Sequence, residues 1–308
     1  MGVAPIFPNR LHKGDKIGIF SPSEPLSGDR PQRMQPSLDL LRKNFDYEFT
    51  PHAFESLGYV ASTTEEGIAD INLLLAKDDV AALLASWGGK NCNRLIGKLP
   101  YSDFLVRRKP VIGFSDTGVM LNAISAVTGL ITFYGPNIAG KLNESQHYDL
   151  RLLRGEYVPP FGEATDSHWT TITDGTATGR LFGGNLSTFV LGLAGSPQMA
   201  EIDESIFFWE SASEPPQIID QFLRCLANCG FLSRIKAMVV GDVEYSEVER
   251  KDRPINDLLR EYGEEFDIPV VRIATFGHKS LENPAIPIGA VARLSTERQS
   301  VELVNFDM

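Results

Sequence analysis

Ser115 lies in the stretch KPVIGFSDT (Lys109–Thr117), where an apolar run ends in a glycine, an aromatic ring, a hydroxyl and an acid. A serine hydroxyl becomes a nucleophile when a nearby base takes its proton, and the base works best when a third group orients it. Five histidines could be that base: His12, His52, His147, His168 and His278. His278 is the strongest candidate. It follows a strand-like run in Thr275-Phe276-Gly277-His278 and precedes Asn283-Pro284 and Pro287, prolines that would restrict its loop. Glu210 could be the orienting acid. It ends the apolar run Ile206-Phe207-Phe208-Trp209, where a charge is costly unless solvated or paired. A carboxylate there could accept from a histidine N–H, with Glu214 as its neighbouring competitor. Each residue also has a plain structural reading: Ser115 or Asp116 as a helix cap, His278 as a loop histidine, Glu210 as a solvated strand end. Taken one at a time, these residues leave both readings open.

The elements around them favour exposure of the hydroxyl. Lys16–Phe20, Val80–Ser86, Pro110–Phe114 and Ile131–Phe133 read as short apolar strands. Between them lie helix patterns at Gln32–Lys43, from a capping box Ser62-Thr63-Thr64-Glu65 to about Ala76, at Asn91–Gly97 and at Gly118–Val127. This alternation predicts a parallel sheet covered by helices, a Rossmann-like N-terminal domain over residues 1–141. Ser115 would then sit at the carboxyl end of a strand, where open α/β sheets place ligands, beside a helix N-terminus with free N–H groups. Residues 142–175 are polar, contain Pro159-Pro160 and read as a connecting segment or lid. Residues 176–308 read as a smaller mixed α/β domain, with strands at Gly179–Phe182, Ile206–Trp209, Ala237–Val240, Ile268–Arg272 and Ala290–Ser295. Its helices are expected at Gln217–Asn228 and Ile255–Tyr262. The site would lie in the cleft between the two domains.

Composition narrows the class. The chain has 308 residues, 43% hydrophobic and 22% charged, as in a globular protein. No apolar run approaches the roughly 20 residues of a membrane span, and the first residues lack a secretory signal pattern, so a cytoplasmic location is expected. The net charge of −11 disfavours a nucleic-acid polymer as partner. Cys92, Cys225 and Cys229 are too few and too odd in number for a disulfide framework. Cys225 and Cys229, at i and i+4 with no clustered partners, do not make a metal site. The Ile218, Ile219, Phe222, Leu223, Leu226 stripe is core packing, and no P-loop or dinucleotide fingerprint is present.

Seven blocks in order, among them GDKIGIFSPS, SWGGKNCNRLI, VIGFSDTGVMLNAI, GLITFYGPN, GRLFGGNLSTF, FFWE and FGHKSLENPAIPIGA, resemble the LD-carboxypeptidase and microcin C self-immunity serine peptidases nearly end to end. The resemblance implies a Ser–His–Glu triad of Ser115, His278 and Glu210, with an oxyanion hole from the backbone N–H groups of Asp116 and Gly89. It implies no cofactor and a homodimer. The Gly88-Gly89-Lys90-Asn91-Cys92-Asn93 turn is similar to the microcin C immunity branch, whose members hydrolyse the amide joining an aminoacyl or peptidyl group to a nucleotide analogue. In that reading Gly88, Asn91, Trp169 and Asn185 contact substrate, Trp169 by stacking on the base. Two departures stand out: Ser115-Asp116-Thr117-Gly118 where the family reads S-D-I-T, and the ESASEPP loop after Trp209. The alternatives are an LD-carboxypeptidase acting on murein tetrapeptide, a non-catalytic small-molecule binder, and a generic α/β-hydrolase. The G-x-S-x-x-G spacing argues against the last of these.

Overall fold

The computed structural model describes residues 4–139, 168–243, 253–280 and 283–306, together with 154, 156 and 159–161. His147 and most of the expected connecting segment lie outside the described residues.

The first sheet is built from β1 (Lys16–Phe20), β2 (Asp46–Phe49), β3 (Val80–Ala85), β4 (Val111–Gly113) and β5 (Thr132–Tyr134). A sixth strand, β11 (Ile286–Ile288), comes from the far end of the chain, and the order is β11-β5-β4-β3-β1-β2. The first five strands run parallel, whereas β11 pairs antiparallel to β5, Ile286 opposite Tyr134. The second sheet has order β13-β12-β7-β8-β9-β10-β6. Its parallel centre is β7 (Thr176–Asn185), β8 (Ser205–Ser211), β9 (Ala237–Val243) and β10 (Val270–Ile273). Antiparallel strands flank it: β6 (Trp169–Thr173), β12 (Val291–Ser295) and β13 (Ser300–Leu303). The central strands of both sheets are buried on both faces, which explains their continuous apolar runs.

Helices α3 (Thr64–Ala76), α4 (Tyr101–Arg107) and α5 (Thr117–Thr128) belong to the first unit. Helices α6 (Leu186–Leu193), the short α7 (Pro197–Ala200), α8 (Pro216–Asn228) and α9 (Ile255–Phe266) belong to the second. Several expected bounds shift for identifiable reasons. The capping box uses Thr63 and Glu66, one residue later than expected: Thr63 takes the extended conformation and its N–H reaches Glu66 Oε2 at 2.9 Å. The expected helix over Gln32–Lys43 divides at Met34 into α1 (Arg30–Arg33) and α2 (Gln35–Leu41), because Pro36 is tolerated only in a first turn. Trp169–Thr173, inside the expected connection, is a strand of the second sheet.

The two units are stitched together by α5. Nearly all of α5 is buried, and its Asn122 bonds twice to Gly183 on β7, Nδ2 to the carbonyl at 2.7 Å and Oδ1 from the N–H at 2.9 Å. Gly183 has φ +145°, and a Cβ there would sit 1.7 Å from the Phe208 carbonyl oxygen. That oxygen is main chain in a central strand and has no room to retreat. Gly183→Ala should therefore cost about 3 kcal/mol or more of stability, read as a lower denaturant midpoint than wild type.

Candidate active site

Ser115 stands two residues after the end of β4 and has φ +59°, left-handed backbone that is uncommon for a non-glycine residue. The turn that strains it is kept open by two glycines. A Cβ at Gly113 would meet the Thr117 methyl at 2.4 Å, and one at Gly118 would meet the Tyr134 ring at 3.0 Å. The G-x-S-x-x-G spacing thus makes room for the first turn of α5 and for a tyrosine. Asn137 clamps the other side, accepting from the Phe114 N–H at 2.9 Å and donating to its carbonyl at 3.3 Å.

Glu210 stands near the end of β8 and is fully buried. A buried carboxylate must be paired and hydrogen-bonded, and Glu210 is. His278 Nδ1 lies 2.6 Å from Oε2, and the Tyr134 hydroxyl donates to Oε1 at 2.8 Å. Since a carboxylate only accepts, Nδ1 carries the proton and Nε2 is left as the basic nitrogen. Tyr134 also accepts from the Ser115 N–H at 3.2 Å, so one phenol ties the serine turn to the acid. Burial and the Glu210 charge push the Tyr134 phenol well above its ordinary value, so it stays a donor at neutral pH. The His278 ring packs on Phe114 with centroids 4.9 Å apart. Its loop is held by Asn283, which accepts from the Gly277 N–H at 2.7 Å and donates its own N–H to the Thr275 carbonyl at 3.0 Å.

The Asp116 carboxylate is buried and accepts from Ser23 Oγ at 2.6 Å and from the Cys92 N–H at 2.8 Å. Burial raises its pKa, and these two donors oppose the rise. Ser23 Oγ in turn accepts from the Asn91 N–H at 3.1 Å. Asp116 therefore staples the loops on both sides of the Gly88-Gly89 turn. Gly89 has φ +143°, and a Cβ on it would lie 2.4 Å from Ser23 Oγ. Among the described residues, neither the Asp116 nor the Gly89 backbone N–H has a protein acceptor.

Two cavities meet at this turn. The first, about 250 Å³, is lined by Ser115, His278, Gly88, Gly89, Phe114 and Asn137, with Trp87 and Arg33 on its wall. The second, about 340 Å³, shares Ser115 and Gly89 and continues past Asn185 to Glu214. The structure thus brings Ser115, His278, Gly88 and Gly89 to one cavity, and Asp116 and Asn185 to the other. Asn185 caps α6, its Oδ1 accepting from the Thr188 N–H at 3.2 Å. Asn91 lines neither of these two cavities; it borders a smaller one beside Ser23 and Ser62. Trp169 lines none of the three. It is buried in β6 at 7% exposure, its Nε1 donating to Thr171. The first cavity has Trp87 on its wall besides Phe114, and the residues' own patterning gave no sign of a role for Trp87 there. Tyr134, Asn137 and Asn283 were also missed, although their sequence blocks GLITFYGPN and FGHKSLENPAIPIGA were noted.

Fold, turn and sequence matches together define the class: this is a serine-type peptidase. The chain belongs to the LD-carboxypeptidase family, whose N-terminal domain matches residues 17–135 and whose C-terminal domain matches residues 178–294. A Vibrio cholerae serotype O1 protein that carries a carboxypeptidase name is 30% identical over 297 residues, 86% of this chain and 88% of its own length. A Bacillus subtilis protein that carries a murein peptide carboxypeptidase name is 28% identical over 304 residues, 95% of this chain and 92% of its own length. Among solved structures, the microcin C self-immunity protein MccF superposes with a TM-score of 0.86 at 23% identity, covering 99% of this chain and 100% of MccF. Among the described residues, no helix is long and apolar enough to cross a membrane.

Proposed function

We propose that the protein hydrolyses the amide of an aminoacyl- or peptidyl-nucleotide conjugate with the triad Ser115, His278 and Glu210, the first from residues 1–141 and the other two from residues 176–308. Ser115 Oγ attacks the amide carbonyl carbon as His278 Nε2 takes its proton. Glu210, holding Nδ1–H, keeps that tautomer and stabilises the imidazolium as it forms. The N–H groups of Asp116 and Gly89 receive the oxyanion, each such donor being worth about 3 kcal/mol of barrier. The C–N bond then breaks and His278 returns the proton to the leaving nitrogen. Water repeats the sequence on the acyl-enzyme and frees the acid.

The observation that carries the nucleotide reading is the wall of the first cavity. Trp87 lies there with Arg33, and the guanidinium carbons of Arg30 and Arg33 stand 4.9 and 5.2 Å from its ring centroid. Aromatic and guanidinium planes beside a cationic charge suit a base followed by a phosphate or sulfamate. The MccF structure named above holds glutamyl sulfamoyl guanosine, a molecule of that kind. Arg33 also supports a second reading. A cation on the same side as His278 could grip the terminal carboxylate of a leaving amino acid, as a murein peptide carboxypeptidase requires.

Wild-type enzyme incubated with an aminoacyl sulfamoyl-adenosine and with an L,D-linked tetrapeptide decides between them by product mass spectrometry, with Ser115→Ala as the blank. Release of the sulfamoyl nucleoside is expected. Cleavage of the tetrapeptide alone would move the enzyme to the murein reading.

A further inference from the structure

Tyr134 is built into this site more firmly than its place at the end of β5 requires. Its ring is buried, 1% exposed, and lies in a slot between two glycines, one from each unit. A Cβ at Gly118 on α5 would meet the ring at 3.0 Å, and one at Gly184 on β7 would meet it at 2.9 Å. The Phe114 and Phe208 rings pack on it with centroids 4.8 and 5.8 Å away. The slot fixes where the hydroxyl stands. It accepts from the Ser115 N–H at 3.2 Å and donates to Glu210 Oε1 at 2.8 Å. The direction follows from the carboxylate, which only accepts. Burial and the Glu210 charge hold the phenol protonated, and the backbone N–H groups of Ser115 and Asn185 oppose them without prevailing.

Phenol and imidazole thus share one buried carboxylate, the first on Oε1 and the second on Oε2. A donor on one oxygen draws negative charge from the other. Without the phenol, the Glu210–His278 pair gains affinity for a proton, whichever of the two takes it. A carboxylate with one donor fewer protonates more readily, and an unshared one stabilises the imidazolium more. Either proton disables His278 as the base for Ser115. We infer that Tyr134 is a positioning residue of the reaction: through Glu210 it sets the pH above which His278 can deprotonate Ser115, and its oxygen holds the Ser115 turn. This inference rests on the peptidase reading above but is independent of which leaving group is correct. Other charged groups border the pair. Asp242 on β9 stands against Gly277, whose Cβ would lie 2.9 Å from that of Asp242 and 3.2 Å from that of Glu210. Lys279 follows His278 and is exposed, Arg33 lines the same cavity as His278, and Asp116 turns its carboxylate to Ser23 and Cys92. Tyr134→Phe leaves all of these in place, so a comparison with wild type reads the hydroxyl alone.

The test is the pH profile of kcat/KM for wild type, Tyr134→Phe and Phe208→Leu, on whichever of the aminoacyl sulfamoyl-adenosine and the L,D-linked tetrapeptide is cleaved. Tyr134→Phe is expected to move the acid limb up by about one pH unit, the size of one hydrogen bond to a charged group. Its kcat on the plateau should fall about tenfold as the serine turn loosens, with KM near wild type. Phe208→Leu loosens the packing of the ring but keeps the hydroxyl. It should lower the thermal midpoint and leave the acid limb unmoved. A limb that stays in place or moves down in Tyr134→Phe would overturn the inference and leave the peptidase reading intact. So would an equal upward shift in Phe208→Leu, which would assign the effect to packing. If neither substrate is cleaved, the peptidase reading fails instead, and the pair is read without turnover. Nitrogen-15 NMR of labelled histidine follows the His278 ring, its signals identified by their loss in His278→Asn. The titration midpoint of that ring should stand about one pH unit higher in Tyr134→Phe than in wild type. Equal midpoints in the two proteins would sink the inference.

Discussion

Ser115→Ala is expected to lower kcat by about four to six orders of magnitude on every substrate of this enzyme. The replacement removes only Oγ. The Cβ of alanine occupies the position the serine Cβ already holds, 3.0 Å from where a Gly88 Cβ would stand, so no new clash arises. The turn is held by its backbone: the Ser115 N–H to Tyr134 and the Ser115 carbonyl to the Gly118 N–H at 2.9 Å both survive. The thermal midpoint should therefore stay near wild type while turnover is lost. Intact-protein mass spectrometry gives the second readout. Wild type trapped early in the reaction should carry the acyl group on Ser115, and the variant should carry none. Turnover within tenfold of wild type would remove the serine from the mechanism.

Glu210→Gln should cost about three to four orders of magnitude in kcat with little change in KM. The carboxylate accepts two hydrogen bonds, from Tyr134 on Oε1 and from His278 Nδ1 on Oε2. A carboxamide offers one oxygen and one NH2. If its NH2 faces His278, the imidazole must take the other tautomer and Nε2 loses its basicity toward Ser115. If its NH2 faces Tyr134, two donors meet in a buried space and the phenol loses its acceptor. Either orientation also removes the negative charge that stabilises the imidazolium. Glu210→Asp keeps the charge but shortens the side chain, so it should recover only part of the loss. A Glu210→Gln enzyme with kcat within tenfold of wild type would show that His278 is oriented by another group.

Much of this arrangement was legible in the residues themselves. Alternating apolar runs and helix patterns placed β1, β3 and β4 and the helix after Ser115 close to their observed bounds. An acid closing the run Ile206–Trp209 marked Glu210 as a charge that must be either solvated or paired, and the structure shows it buried and paired. The spacing of Gly113, Ser115 and Gly118 set the chain apart from the G-x-S-x-G elbow of α/β-hydrolases. These signals are local, and short-range sterics and periodicity express them within a few residues.

Other features depended on atoms brought together from distant parts of the chain. Nothing near Tyr134 in sequence shows that its phenol reaches both the Ser115 N–H and Glu210, 76 residues away. That follows from β5 lying beside β4 and from the two sheets packing on each other. Nor does the composition of the Gly88-Gly89 turn show that Asp116 staples it through Ser23 and Cys92. Three tryptophans were available for a cavity wall, and Trp209 is taken up in the buried strand β8. Packing of β6 against β10 buried Trp169, whereas the turn after β3 left Trp87 in the first cavity. The residues determined by themselves which groups could react. The tertiary structure alone decided which of them share a cavity, because hydrogen-bond partners and burial are set by strand order and packing, and neither is written in the spacing of residues along the chain.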